Sequence, residues 1–395
     1  MASASLINKV KYSPLLYAVY YYAGSLAIKL LKLMLRPDER LILFSSYSGK
    51  RYDDSPKDIY EAMLHDHRFD GYKLVWAFSE PERYNIGRAH KVKVDTLSYY
   101  KAALKARVWI TNVSMTRGLS FKGINTFSLN TWHGVPIKFI GSDVRNSDGG
   151  TFRIKGKVKT IDIQLAQGSY EKSIYPRAFG LDEKQVLVTG LPRNDSLVYD
   201  NYPEKIAILR KELGIPEGKK VILYAPTYRE YEKDKWRNCI MKPPFNLKRW
   251  KAQLSEDYVL MIRAHQEVVK VLNLEEDEFV RDASSFPVLN DLLLITDILI
   301  SDYSSIIFDF SILSRPIICY TYDFERYKQA RGMYFDIRKE LPSADTEERL
   351  ISIIKSNNQN KMREVVIRFR DKYIQEYGNS SQRVLDVVFN ALNKH

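Results

Sequence analysis

Cysteine and histidine are scarce in this chain, with two and six among 395 residues. Cys239 and Cys319 are too few, and too ordinary in setting, for a disulfide framework or a cysteine metal cluster, which agrees with a reducing compartment. No His-Glu-x-x-His and no cysteine pair occurs, and adjacent Asp53 and Asp54 make only a weak cation site. The Gly-x-Gly-x-x-Gly dinucleotide signature is missing, and so is the Gly-x-x-x-x-Gly-Lys-Ser/Thr phosphate loop. NAD-dependent hydride transfer and phosphate-loop NTPase chemistry fall away with them. Helix-turn-helix, zinc-finger and RNA-binding signatures are absent and the basic residues are dispersed, which argues against nucleic acid. No internal repeat or low-complexity segment stands out.

Residues 1–36 lack acid altogether, while Lys9, Lys11, Lys29, Lys32 and Arg36 are basic. The uncharged stretch Pro14–Ile28 is shorter than the roughly 20 residues of a spanning helix, and it lacks a cleavage site of the secretory kind. Lysines among leucines and tyrosines predict a helix lying in the interface of an anionic membrane. Packing of the same helix against the protein body is the alternative. Over the whole chain, 61 Lys+Arg against 48 Asp+Glu give +13, which favours a polyanionic partner.

What is present is an alternation of apolar runs and amphipathic stretches, the pattern of βα units and parallel sheets. Strands are expected at 41–45, 73–78, 108–111, 126–130, 163–166 and 185–189, then at 221–224, 259–262, 298–300 and 317–320. A polar interval near residue 200 divides them. The expected fold is α/β, with two Rossmann-like domains whose parallel sheets face an interdomain cleft. Its parts are a basic segment 1–37, domains 38–200 and 201–380, and a terminal helix at 381–395.

Chemistry in such folds sits past the carboxyl ends of strands, and five polar junctions fall there. His133 lies in Thr131-Trp132-His133-Gly134-Val135-Pro136, where Gly134 permits a tight turn and Pro136 restricts the loop. A neutral imidazole there takes a proton from an attacking hydroxyl, or satisfies buried backbone groups; the residues alone leave both open. Gly190-Leu191-Pro192-Arg193-Asn194-Asp195 is a ligand loop or only a turn. Thr227-Tyr228-Arg229 and Arg263-Ala264-His265 place guanidinium, hydroxyl and imidazole groups suited to phosphate, against surface ion pairing as the alternative. Ser301-Asp302-Tyr303-Ser304-Ser305 precedes an apolar stretch, a helix start whose amides suit phosphate and whose Asp302 caps the helix, orients a histidine or holds a ligand hydroxyl.

Taken together and in this order, the five motifs resemble those of the CDP-glycerol glycerophosphotransferases of teichoic-acid synthesis in Gram-positive bacteria. The resemblance spans roughly residues 38 to 385. It implies a GT-B fold, nucleotide held mainly by the C-terminal domain, acceptor approached from the N-terminal one, and peripheral attachment to the cytoplasmic face of the membrane. Carried over by motif, His133 is the catalytic base and His265 a second catalytic residue. Gly134, Arg193, Asn194, Thr227, Arg229, Arg263, Ser301, Asp302, Ser304 and Ser305 are the expected donor-binding residues.

The implied reaction passes glycerol phosphate from CDP-glycerol to a lipid-linked saccharide or polymer hydroxyl and releases CMP. No resident metal is expected, though a divalent cation accompanying the donor diphosphate is compatible with the chemistry. Ribitol-phosphate transfer, polymerisation and nucleotide-sugar glycosyl transfer are the alternatives. The length of 395 residues favours single addition, since some polymerases carry a large extra domain.

Overall fold

Strands covered on both faces read as unbroken apolar runs, and all ten such runs are strands in the computed structural model. The structure describes residues 13–144, 160–227, 229, 244–264, 276–356 and 358–393. The first sheet holds β1 (Asp38–Ser45), β2 (Lys73–Phe78), β3 (His90–Lys93), β4 (Ala106–Thr111), β5 (Phe127–Asn130), β6 (Ile163–Ala166) and β7 (Val186–Val188), in the order β3-β2-β1-β4-β5-β6-β7. The second holds β8 (Lys220–Tyr224), β9 (Tyr258–Ile262), β10 (Val280–Asp282), β11 (Ile298–Ser301), β12 (Ile317–Tyr320) and β13 (Ser343–Ala344), in the order β10-β9-β8-β11-β12-β13. The pairings in both are parallel. Each order reverses direction beside its first strand, at β1/β4 and at β8/β11, the switch points where such sheets bind ligands.

The strands β3, β10 and β13 carry no long apolar run and escape the sequence pattern. In β3 only Val92 is buried, in β10 only Val280, and β13 has two residues. They close sheet edges or near-edges, where burial is thin.

The chain divides into two compact units. The first is Met1–His133, Gly141–Asp195 and Asn379–His395; the second is Gly134–Ile140 and Ser196–Gly378. His133 is therefore the last residue of one segment and Gly134 the first of the next. The final helix, Ser380–Asn393, belongs with the first unit, where Val384, Leu385 and Val388 join Ile42, Phe44, Trp76 and Ile110 in a buried cluster. Alternate strand residues face the opposite way: Leu41, Leu43, Val75 and Trp109 pack with Tyr99, Ala102 and Ala103 of helix Leu97–Lys105. In the second unit Ile222, Leu260, Ile298, Ile300 and Ile318 pack under Trp250 and Leu350.

Helix Pro14–Leu33 is capped by the Ser13 side chain, which accepts from the Leu16 amide. One face docks on the first unit: Ser25 Oγ accepts from the Ser120 amide at 2.9 Å, Tyr20 Oη donates to the Arg117 carbonyl at 2.8 Å, and Ile28 and Leu31 meet the core. The other face, Leu15, Val19, Tyr22, Leu26, Leu30 and Leu33, is exposed. Among the described residues no helix is long and apolar enough to cross a membrane.

Candidate active site

Past the carboxyl ends of β1, β4, β5 and β7 the first unit gathers a buried polar cluster. Asp54 is its hub. Tyr47 Oη donates to Asp54 Oδ2 at 2.7 Å, Asn112 Nδ2 donates to the same oxygen at 3.1 Å, and Arg193 Nη1 reaches it at 3.2 Å. The Ser55 amide donates to Asp54 Oδ1 at 2.6 Å. Burial alone drives a carboxyl pKa up; Arg193, the Tyr47 hydroxyl, the Ser55 amide and His133 together outweigh it and hold Asp54 below its ordinary value. Asp54 is thus an anion deep in the protein. It stands at φ 64°, with Tyr47 at 46° and Ser48 at 58°, left-handed conformations that L side chains rarely adopt and that cost roughly 1–3 kcal/mol each.

His133 joins this cluster from β5. Its Nδ1 lies 3.0 Å from the Asn112 carbonyl oxygen. A carbonyl only accepts, so Nδ1 carries the proton and the lone pair of the neutral ring sits on Nε2. The ring is fixed further by Trp132, with centroids 4.1 Å apart, and by Tyr47 at 6.0 Å. Trp132 at φ 54° and Gly134 at φ 148° bracket the histidine, and the second value is one for which glycine is suited. Arg193 and Asn194 arrive on the turn after β7, where buried Asn194 donates from Nδ2 to Gln167 Oε1 at 3.0 Å.

In the second unit the strand-end residues interlock. Asp302 Oδ1 accepts from the amides of Thr227 at 2.8 Å and Tyr303 at 2.6 Å, and Ser301 Oγ donates to the Ala225 carbonyl at 2.6 Å. Arg229 is almost wholly buried. It donates to both oxygens of Asp323 at 2.6 and 2.9 Å, to Asp302 Oδ2 at 2.9 Å, to Tyr322 Oη at 3.2 Å and to the Thr227 carbonyl. The rings of Tyr303, Tyr322 and Tyr327 surround its guanidinium at 5.1 to 5.4 Å. All five N–H donors are used. Arg229 therefore binds strand ends together, its guanidinium turned onto the protein's own groups.

Asp302 is likewise spent on amides and on Arg229. Thr227 stays interesting: its Oγ1 is buried and has no hydrogen-bond partner among the described residues. Arg263 Nη1 donates to the carbonyls of Ala283 at 3.1 Å and Phe286 at 2.9 Å. Ser304 and Ser305 are half-buried at the start of helix Ile306–Ser311, where Ser304 Oγ accepts from the Ile306 amide at 3.4 Å. His265 lies outside the described residues. Among the described residues, no three His, Cys, Asp or Glu side chains are placed to hold a metal ion.

The structure thus brings together His133 with Arg193 around Asp54, and Thr227, Arg229, Ser301 and Asp302 with one another. Tyr47, Asp54, Asn112 and Asp323 are participants to which the sequence reading assigned no part in this site, Asp54 having stood there only as half of a weak cation pair. Three of them were within its reach: Tyr47, Asn112 and Asp323 each follow an apolar run, as His133 does.

Two doubly wound units, each crowding polar and charged side chains at the carboxyl ends of parallel strands, define an α/β enzyme that handles a ligand there. The chain belongs to the CDP-glycerol:poly(glycerophosphate) glycerophosphotransferase family, whose model matches residues 27–390, and it is a transferase of that family. It is 35% identical to a teichoic acid glycerol-phosphate transferase of Staphylococcus aureus, over 89% of this chain and 94% of that protein. It is 32% identical to a teichoic acid poly(glycerol phosphate) polymerase of Bacillus spizizenii, over 95% and 98% respectively. A solved histidine-to-asparagine variant of the wall teichoic acid polymerase TagF, soaked with CDPG, is 29% identical with a TM-score of 0.82, covering 93% of this chain and 92% of that one. Length does not separate single addition from polymerisation, because the B. spizizenii polymerase is matched over nearly its whole extent.

Proposed function

We propose that the enzyme transfers glycerol phosphate from CDP-glycerol to the hydroxyl of a lipid-linked teichoic-acid precursor and releases CMP. The first unit serves the acceptor and the second the CDP donor, as in a GT-B transferase. His133 Nε2 takes the proton from the acceptor hydroxyl as its oxygen attacks the phosphorus nearer glycerol. The bond from that phosphorus to the bridging oxygen breaks, and the electron pair leaves with CMP. Phosphoryl transfer depends on alignment and on stabilising charge that shifts to the leaving group. Arg263, His265, Thr227 and the amides beside Ser304 and Ser305 supply donor contacts, while Arg229 and Asp302 hold those loops in shape. The observation that carries this reading is the Nδ1 contact of His133 with the Asn112 carbonyl, since it leaves the basic nitrogen of the neutral ring on the other side.

The enzyme works at the cytoplasmic face of the membrane. Support comes from the exposed apolar stripe of helix Pro14–Leu33 and from a segment that carries lysine and arginine but no acid; both fit an anionic bilayer surface.

The test of the base is His133→Ala. Single-turnover CMP release falls by at least about a hundredfold, the low end of what a general base contributes, while CDP affinity by calorimetry stays near wild type. Release at the wild-type rate removes His133 from that role.

A further inference from the structure

We propose that Asp54 is a positioning residue for His133, acting through Asn112 to fix the ring and through its charge to set the ring's basicity. The inference rests on the reading of His133 as the base. Three observations carry it. Asn112 links the two directly: its side chain donates to Asp54 Oδ2 at 3.1 Å and its own carbonyl accepts from His133 Nδ1 at 3.0 Å. The Tyr47 amide closes the arrangement on Asn112 Oδ1 at 2.8 Å, and the Asn112 amide nitrogen also reaches Ser46 Oγ at 3.3 Å. A shift of Asp54 thus moves the group that holds the imidazole.

The second observation is conformational. Asp54, Tyr47 and Trp132 all sit at positive φ, a cost that the fold meets within one small cluster. Strain gathered at the residues that hold one histidine is what a prepositioned base requires.

The third is electrostatic. The groups around the pair are Tyr47, Arg51, Asp53, Lys57 and Asp58 from the segment after β1, Trp132 beside the ring, and Arg193 from the turn after β7. Asp54 and Arg193 form a buried ion pair, with side chains 2% and 13% exposed. Asp54 and His133 also interact electrostatically, so the carboxylate favours the imidazolium. Removing the negative charge lowers the His133 pKa, and the Arg193 charge, no longer offset by Asp54, pushes it the same way. The base acts in its neutral form, so the acid limb of the kcat profile moves to lower pH.

The experiment titrates His133 by imidazole 15N NMR in wild type, Asp54→Asn and Asp54→Glu, with His133→Ala to assign the signal. In Asp54→Asn the pKa falls by about one pH unit, the Nδ1–H tautomer is less populated, and CMP release drops by about tenfold, the rate equivalent of one pKa unit. Asp54→Glu returns the charge and brings the titration back towards wild type, which a purely structural role would not do. Wild-type titration and tautomer in both variants overturn the proposal whatever the activity shows. Full CMP release in His133→Ala sinks the base assignment instead, and the NMR result then still decides whether Asp54 governs the ring.

Discussion

Arg229 shows how little a residue type says about where its charge is used. Placed two residues past a strand-end threonine, it reads as a phosphate ligand; folded, it is held by Asp302, Asp323, Tyr322 and the Thr227 carbonyl. Arg229→Met takes the guanidinium away from two carboxylates, Asp302 and Asp323. A buried pair broken on one side costs about 3–5 kcal/mol, so denaturant unfolding of the second unit shifts to markedly lower concentration and CDP affinity weakens as the loops relax. An unfolding midpoint equal to wild type contradicts the clamp. The rule that found Arg229 also points to Asp323, which follows the apolar run of β12, yet direction could not be read from the pattern. Asp54 was less legible still, because a left-handed backbone at Tyr47, Ser48 and Asp54 leaves no signature in residue types that are not glycine.

Long buried strands were fully legible, since both faces need apolar side chains; β3, with one buried residue in four, was not. For the helix Pro14–Leu33 the structure shows the packed reading, and its membrane contact stays a proposal. Its inner face packs on the first unit and its outer face is apolar and open. Two variants separate these faces. Leu15→Ser, Val19→Ser and Leu26→Ser together reduce flotation with anionic vesicles and leave the thermal midpoint near wild type, because those side chains are exposed. Deleting residues 13–35 lowers binding and stability alike, since it strips Ile28, Leu31 and Leu35 from the core beneath. Undiminished flotation of the triple variant rules out the outer face as the membrane contact. High salt releases only part of the wild-type protein, as apolar insertion survives screening.

The net charge of +13 suits an enzyme with an anionic donor, and it agrees with the proposed anionic membrane surface. Architecture and family account for the two parallel sheets and for the class of chemistry, while the side chains near a diphosphate do not count the carbons of the polyol attached to it. Donor identity is therefore the claim to test at the level of product. Purified enzyme is given CDP-glycerol, CDP-ribitol or a UDP-sugar with a defined lipid-linked acceptor, and the products are weighed by mass spectrometry. The account predicts mass increments of glycerol phosphate, with CMP released in equal number and only from CDP-glycerol. Exclusive ribitol phosphate increments would contradict the donor assignment, and transfer of an unphosphorylated sugar would contradict the reaction itself.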